Sequence, residues 1–480
     1  MNYRMIGYLL GVIMLIEAAL LLAPSFVALL YAESVVPYLI TIGVLLVFAL
    51  PLVLWRPKNT RIYAKEGFIC VALSWIVLSL FGAIPYVLDN AIPHYVDAFF
   101  ETVSGFTTTG ATILSGVEGL HHSILFWRAF THWIGGMGVL VFVLAILPAT
   151  DGRAIHLMRA EVPGPTKGKL VPRLKHTALI LYGIYLFLTV AETIALCIAG
   201  LPFYDALVTA FSTAGTGGFG LKDASIAGYA SPAAEWIVAI FMFLCGINFN
   251  LYYFLLMRRF RDVFKSEELR TYLLLCLGST VLIVLNTLQA ASGLGECLRN
   301  AFFQVTSIMS TTGFATVDYN TAWPEFSKTI LVFLTMVGAC AGSTAGGLKI
   351  SRFLILIKNG MRELKHMLRP RSVNVVRLDG EVVPDETCRA AANYFSLYTA
   401  LIIFSALLLS IDGFDFTTNI TAAIACVNNV GPGLGLVGPV GNFGGFSVFS
   451  KLLLSLDMLL GRLEIIPMLI LLSPSAWRKR

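Results

Sequence analysis

Four short turns in this 480-residue chain end in glycine and consist largely of small polar residues: Thr107-Thr108-Thr109-Gly110, Gly215-Thr216-Gly217-Gly218, Ser310-Thr311-Thr312-Gly313 and Asn428-Asn429-Val430-Gly431. Each glycine lies thirteen positions after the start of an amphipathic or small-residue segment, at Asp97, Asp205, Asn300 and Thr418. Glycine reaches positive φ without steric cost, so such turns can aim successive carbonyl oxygens at one axis and replace the water around a dehydrated cation. If the preceding segments are helical, their C-terminal ends add partial negative charge at the same place. A monovalent cation suits this chemistry. The turns carry no ring of Asp or Glu, which disfavours a pore selective for divalent ions. For any one of these glycines, close packing between helices is an equal reading; four copies at one offset favour the pore.

The elements that must hold these turns are apolar. Hydrophobic residues make up 57% of the chain and charged residues only 13%, with a mean hydropathy of +0.80, which excludes a soluble globule. Stretches near the ~20 residues needed to cross a bilayer occur at 5–31, 36–54, 68–88, 124–147, 178–200, 233–257, 272–291, 329–357, 392–411 and 448–472. The expected fold is an all-α polytopic membrane protein of about ten transmembrane helices. Eight of them form four span/pore-helix/span repeats around a central pore with fourfold pseudosymmetry. The divisions are 1–66 for two extra N-terminal helices, then 67–160, 161–268, 269–370 and 371–480 for the four repeats, the third carrying an intramembrane loop. A fixed internal period of this kind governs any reading of the fold.

Positive residues mark the sides. Arg56, Lys58, Arg61 and Lys65 share one loop, Arg153, Arg159, Lys167, Lys169, Arg173 and Lys175 another, and Arg258, Arg259, Arg261, Lys265 and Arg270 a third. Segment 358–389 and the tail Arg478, Lys479 and Arg480 complete the set, whereas the segments carrying the repeats hold few, Lys222 and Arg299 among them. By the positive-inside rule both termini face the cytoplasm and the pore helices enter from the other face. The net charge of +6 is therefore topological and implies no nucleic-acid partner. The N-terminal apolar run exceeds a signal-peptide core and is expected to remain as a span.

Several other features have bland readings. Eight cysteines are scattered singly, without C-x-x-C spacing, and read as small packing residues. Gly215, Gly217 and Gly220 match G-x-G-x-x-G, but a dinucleotide site needs a preceding strand and a βαβ unit. Arg128 and His132, one helical turn apart, are expected to snorkel or pair locally, and Lys222 and Asp223 to be vestibule charges. No Ser/His/Asp spacing proposes a catalytic geometry, so no enzyme activity and no organic cofactor are expected. The longest polar loops, about thirty residues each, are too short for an independent domain, so nucleotide sensing would need another protein.

Two later segments break the helical pattern. Gly338, Ala339, Cys340, Ala341, Gly342, Ser343, Thr344, Ala345, Gly346 and Gly347, followed by Lys349, interrupt the span at 329–357, and each interior glycine costs a helix about 1 kcal/mol. A loop in mid-membrane and a kinked, closely packed helix are both open readings. Arg462 lies about fifteen residues into the last span, roughly 22 Å deep at 1.5 Å per residue. A guanidinium at that depth faces a protein interior or a water path; Glu464 and Asp457 offer an ion pair on the same span.

The most specific stretches are FTTTGAT around Gly110, STTGFATVDYN around Gly313, NNVGPGLG around Gly431, GACAGSTAGGLKISR from Gly338 to Arg352 and GRLEI from Gly461 to Ile465. Across the whole length the chain resembles the Trk/Ktr/HKT superfamily of potassium transporters, and its two extra N-terminal spans resemble the bacterial TrkH type. The resemblance implies a potassium selectivity filter built from Thr108, Thr109, Gly110, Thr216, Gly217, Gly218, Thr311, Thr312, Gly313, Asn429, Val430 and Gly431. It also implies a gate formed by the 338–347 loop with Lys349 and Arg462, the arginine adding a positive barrier beneath the filter. Potassium is then the transported ion, bound through the filter residues. The implied partners are a second copy in a homodimer, a cytoplasmic nucleotide-binding regulatory subunit of the TrkA type, and lipid of the bacterial inner membrane. Because the four turns differ and share only one glycine, potassium and rubidium are expected to pass readily and sodium to be disfavoured moderately. The alternative is an ion-coupled secondary transporter, such as a symporter, working by alternating access.

Overall fold

The computed structural model describes residues 1–57, 59, 62–138, 174–289, 293–372 and 374–477. The end of the apolar stretch 124–147, most of the basic loop from Arg153 to Lys175, the 160/161 division, Lys58, Arg61 and the tail Arg478 to Arg480 lie outside the described residues. The regular secondary structure among the described residues is almost entirely helical. Among the described residues the one sheet is a two-stranded hairpin, Arg377–Leu378 paired antiparallel with Glu381–Val382.

Among the described residues six helical segments are long and apolar enough to span a bilayer: Tyr3–Leu30, Val36–Leu54, Lys65–Leu88, Ala178–Ile198, Glu267–Thr287 and Asp385–Asp412. A seventh, Pro232–Cys245 with Phe249–Leu256, qualifies only as a pair bent by 89°. Apart from the first two, these continuous spans are the ones that precede a turn; among the described residues the helices that follow a turn are short or interrupted, and the apolar stretch 124–147 continues outside the described residues. His122–Gly136 has 15 residues, Glu325–Val337 stops before Ile350–Leu368, and Val448–Arg462 stops before Ile466–Leu472. The sequence expectation of about ten helices therefore holds as stretches of apolar chain, not as ten straight rods. Glycine is the physical reason at one break, since Gly338 ends Glu325–Val337 with φ +70°; in the bend of the seventh Gly246 keeps an ordinary φ of −75° and the chain leaves the helical region at Asn248, with ψ 119°.

Each of the four pore helices packs between three neighbours. Tyr95–Phe106, Phe203–Ala214, Leu294–Met309 and Phe416–Asn428 each touch the span before and the span after in their own repeat. Each also touches the following span of the preceding repeat: Tyr95–Phe106 meets Val448–Arg462, Phe203–Ala214 meets His122–Gly136, Leu294–Met309 meets Pro232–Cys245, and Phe416–Asn428 meets Glu325–Val337. The contact between the first and fourth repeats closes the ring. Apolar side chains left exposed on the outer helices, such as Phe187, Leu285 and Leu407, have no place in water and match a hydrocarbon surround.

The N-terminal helices dock onto this ring in part through a polar cluster at the start of the helix His122–Gly136. Glu33 accepts hydrogen bonds from the backbone of His122 at 2.7 Å and of Ser123 at 2.9 Å, and from the Ser123 hydroxyl at 2.6 Å. These are the free N–H groups opening the helix His122–Gly136, where a carboxylate is favoured. Burial opposes the charge, yet those bonds hold the Glu33 carboxyl below the usual range. Next to it His121 Nδ1 lies 3.0 Å from Asp89, and that hydrogen bond holds the imidazole above its ordinary value. A raised folded pKa stabilises fully below the unfolded value, about 6.5, and the contribution fades as pH rises through the folded value. The expected result is a melting temperature of the purified protein that falls between pH 6 and pH 9, and a flatter profile for His121→Asn.

Candidate cation site

Every pore helix ends the same way. The last helical turn is followed by a residue in the left-handed region: Thr108 at φ +54°, Thr216 at +55°, Thr311 at +59° and Asn429 at +54°. The next residue's N–H then bonds back five residues, Thr109 to Ser104 at 2.9 Å, Gly217 to Ser212 at 2.8 Å, Thr312 to Ser307 at 2.8 Å and Val430 to Ala425 at 2.9 Å. This is the Schellman termination, with threonine or asparagine where glycine is usual. A β-branched residue with positive φ is an outlier, and three of four copies have one. Such local strain persists only where surrounding contacts over-determine it, and it collects at ligand sites.

Two residues further on, Gly110, Gly218 and Gly313 return to positive φ, at +80°, +82° and +86°. Gly431 lies outside the left-handed region, contrary to the expectation of four equivalent glycines. The reason glycine is needed there is proximity. A Cβ on Gly110 would lie 2.0 Å from the Gly217 oxygen, on Gly218 2.0 Å from the Thr312 oxygen, on Gly313 2.8 Å from Pro432 Cδ, and on Gly431 2.6 Å from the Gly110 oxygen. The order first, second, third, fourth and back to first is a closed circle. All four sequence-expected turns are thus brought together, with Thr108, Thr109, Thr216, Thr311, Thr312, Asn429 and Val430 buried and Gly110, Gly218 and Gly313 partly exposed.

Side chains behind the turns tie them in place. Thr107 and Thr109 hydroxyls meet at 2.8 Å, and Ser310 and Thr312 repeat the pair at 2.7 Å. Asn429 Nδ2 donates to Thr109 Oγ1 at 3.0 Å, joining the fourth turn to the first, and to the Met458 carbonyl at 2.9 Å. Tyr398 donates to Asn428 Oδ1 at 2.9 Å.

Arg128 and His132 do not snorkel. Arg128 is buried, donates from Nε to Glu101 at 2.7 Å and from Nη1 to the Gly220 carbonyl at 3.2 Å, and sits 3.6 Å from the Phe219 ring centroid. Glu101 also accepts from Thr112 Oγ1 at 2.9 Å and from the Ile113 N–H at 3.0 Å. One ion pair therefore braces the exits of the first and second turns. His132 is buried behind the second turn, its Nδ1 2.7 Å from the Gly105 carbonyl and its ring 4.1 Å from that of Phe219. Glu101 escaped the sequence reading because a glutamate on an amphipathic helix looks solvated. Removing one partner of a buried pair leaves a stranded charge, at a cost of about 3–5 kcal/mol. The expected result is that Arg128→Met lowers the melting temperature sharply and that adding Glu101→Gln restores most of it.

On the other side of the turns lies the break at 338–349. Gly338, Gly342, Gly347 and Lys349 all have positive φ, so the segment is a loop and not a kinked helix. Its Cys340 N–H donates to Gly246 at 3.2 Å, Phe249 donates to the Gly342 carbonyl at 3.0 Å, and the Gly346 N–H donates to Thr311 Oγ1 at 2.8 Å. A Cβ on Gly346 would lie 2.4 Å from the Asn428 oxygen, so the loop presses directly against the third and fourth turns. Lys349 Nζ, buried, donates to the Ala345 carbonyl.

Arg462 reaches across both structures. It donates to Thr108 Oγ1 at 3.1 Å, the Thr344 carbonyl at 2.9 Å, the Gly135 carbonyl at 2.5 Å and the Gly136 carbonyl at 3.2 Å. The acids once available to it are engaged elsewhere: Glu464 pairs with Arg352, with one contact at 3.0 Å, and Asp457 accepts from Ser405 at 2.9 Å. Lys222 and Asp223 lie at the surface as expected, facing Glu118 at 3.5 Å and the Val117 N–H at 2.7 Å. The G-x-G-x-x-G match falls at the end of the second pore helix with no strand before it. Among the described residues no group of three or more His, Cys, Asp or Glu could hold a metal ion.

Comparison with known proteins agrees with this geometry. The TrkH family model, described as a cation transport protein, matches residues 38–479. The chain is 38% identical to the Trk system potassium uptake protein TrkH of Salmonella typhimurium and 37% to that of Escherichia coli K12, over 100% of both chains in each case. It is 33% identical to the Trk system potassium uptake protein TrkG of Escherichia coli K12, over 99% of both chains. The crystal structure of the potassium transporter TrkH from Vibrio parahaemolyticus superposes with a TM-score of 0.89, at 35% identity over 100% of both chains. A multi-pass membrane protein with four converging glycine turns, this chain belongs to the TrkH family of cation transport proteins.

Proposed function

We propose that the chain takes up potassium, with rubidium as a close substitute, by conduction down the electrochemical gradient through the gap enclosed by the four turns. The closed circle of contacts Gly110 to Gly217, Gly218 to Thr312, Gly313 to Pro432 and Gly431 to Gly110 carries this reading. Main-chain oxygens of Thr108, Thr109, Gly110, Thr216, Gly217, Gly218, Thr311, Thr312, Gly313, Asn429, Val430 and Gly431 replace water around the ion. The selectivity is moderate, because the turns differ in sequence and in φ at the last glycine. The loop 338–347, with Lys349 and Arg462, is the gate: it lies against the inner side of two turns and is held by hydrogen bonds that can exchange with water. Rubidium uptake into liposomes, competed by potassium and by sodium, tests the reading; sodium moving faster than potassium contradicts it. The rival is alternating access by an ion-coupled transporter. The pore helices of all four repeats share one packing arrangement in a closed ring of contacts, which favours a pore, and unitary currents of channel size decide between them.

The names of the relatives speak of a Trk system, and the working unit we propose is a homodimer in the bacterial inner membrane. A cytoplasmic nucleotide-binding subunit of the TrkA type would dock on the basic cytoplasmic loops, with both termini on the same side. The chain is a transporter and carries out no covalent chemistry.

A further inference from the structure

Glu268 is buried in the first turn of the helix Glu267–Thr287, and its carboxylate is directed at the loop. One oxygen, Oε1, accepts the Ala341 N–H at 2.7 Å and the Ser351 N–H at 3.1 Å. These donors lie on either side of Gly346, which presses on the turns: Ala341 within the loop and Ser351 in the first turn of the helix that follows it. A charged acceptor makes the stronger class of hydrogen bond, and here a single atom closes both feet of the loop. Removing that one oxygen therefore frees both donors at once.

The turn that carries Glu268 is itself anchored on the cytoplasmic hairpin. The Glu267 N–H donates to Asp379 Oδ1 at 2.7 Å, and the Glu267 carboxylate pairs with Lys358, which also donates to the Arg377 carbonyl at 2.8 Å. Lys358 belongs to Ile350–Leu368, the helix that leaves the loop. The hairpin, the exit helix and the first turn of Glu267–Thr287 are therefore joined beneath the loop. We infer that Glu268 is a positioning residue that staples the loop in its closed place, through Ala341 within it and Ser351 just beyond its end, and that displacement of the hairpin Arg377–Val382 reaches the loop through it. The inference rests on the reading of the loop as a gate.

Rubidium uptake by the full chain in liposomes, without a regulatory subunit, tests it. Glu268→Ala is expected to raise basal uptake several-fold with the preference for potassium over sodium unchanged, because the turns are not altered. Glu268→Gln keeps an acceptor oxygen and is expected to stay near the parent value. Ser351→Pro removes one donor at the second position of a helix, where the N–H has no partner within the helix, and is expected to give a smaller rise. This variant carries the test alone if Glu268→Ala fails to fold. Removing residues 342–344 tests the gate separately. If that deletion raises uptake while Glu268→Ala and Ser351→Pro do not, the staple is wrong and the gate stands. If the deletion leaves uptake unchanged, the gate fails and the staple with it. Uptake that rises in Glu268→Ala together with loss of ion preference, or equally in Glu268→Gln, overturns the inference.

Discussion

Gly218→Ala is expected to lower rubidium uptake at least ~100-fold, a barrier increase of about 2.8 kcal/mol. Two effects act together. The residue holds φ +82°, and the new Cβ would lie 2.0 Å from the Thr312 carbonyl oxygen. The left-handed conformation alone costs an alanine roughly 1–2 kcal/mol, and the clash has no flexible side chain to give way, only the main chain of the third turn. Relief requires the Thr312 carbonyl to move, so an oxygen that should face the ion is displaced in the turn next door. The loss should therefore be accompanied by reduced discrimination against sodium. Gly119→Ala is the control: it has ordinary φ and open space around it and should transport normally. Normal uptake and selectivity by Gly218→Ala in folded protein would remove the four turns from the conduction path.

Arg462→Ala is expected to change flux in the opposite direction, raising uptake ~10-fold or more. A fixed unit charge ~6 Å from a conducted cation, at an effective dielectric of ~20, opposes it by about 3 kcal/mol. The guanidinium also donates to Thr108 Oγ1 in the first turn and to the Thr344 carbonyl in the loop, so truncation removes the repulsion and loosens the loop at once. The carbonyls of Gly135 and Gly136 that it leaves behind can accept from water in the widened path. Arg462→Lys keeps the charge but lacks the planar, multiply donating head, and should fall between the two. If Arg462→Ala transports at the parent rate while folded, the residue only holds helices together.

Much of this arrangement was legible in the chain. Four glycines at one offset from the start of a repeat identified the turns, because a re-entrant backbone in a membrane must end in residues that tolerate unusual φ and line water or protein. The glycine cluster at 338–347 marked the broken span for the same reason: local backbone cost is written into local sequence. The relevant periodicity survives four times over, so one copy corroborates another. Even here the local rule was incomplete. It placed positive φ at the glycines, whereas the first left-handed residue of each turn is Thr108, Thr216, Thr311 or Asn429, and Gly431 departs from the pattern.

Partner choice was not legible. Glu464 was the near neighbour of Arg462 along the last apolar span, yet it pairs with Arg352, more than a hundred residues away. Arg128 and His132 looked like interfacial side chains until packing put them behind the first two turns, and nothing in the local pattern singled out Glu101 or Glu268. A buried charge is settled by whichever groups the fold brings within hydrogen-bond reach, and those come from distant segments.

By itself, then, the sequence determined the membrane class, the fourfold repeat, the positions of the turns and the place where the span after the third turn breaks, since hydrophobic length and glycine content act on the chain locally. Only the tertiary structure decided that the turns meet in a closed circle, that the loop lies against two of them, and which acids and bases brace the ring. Those outcomes depend on distances between residues remote in the chain, which no local preference encodes.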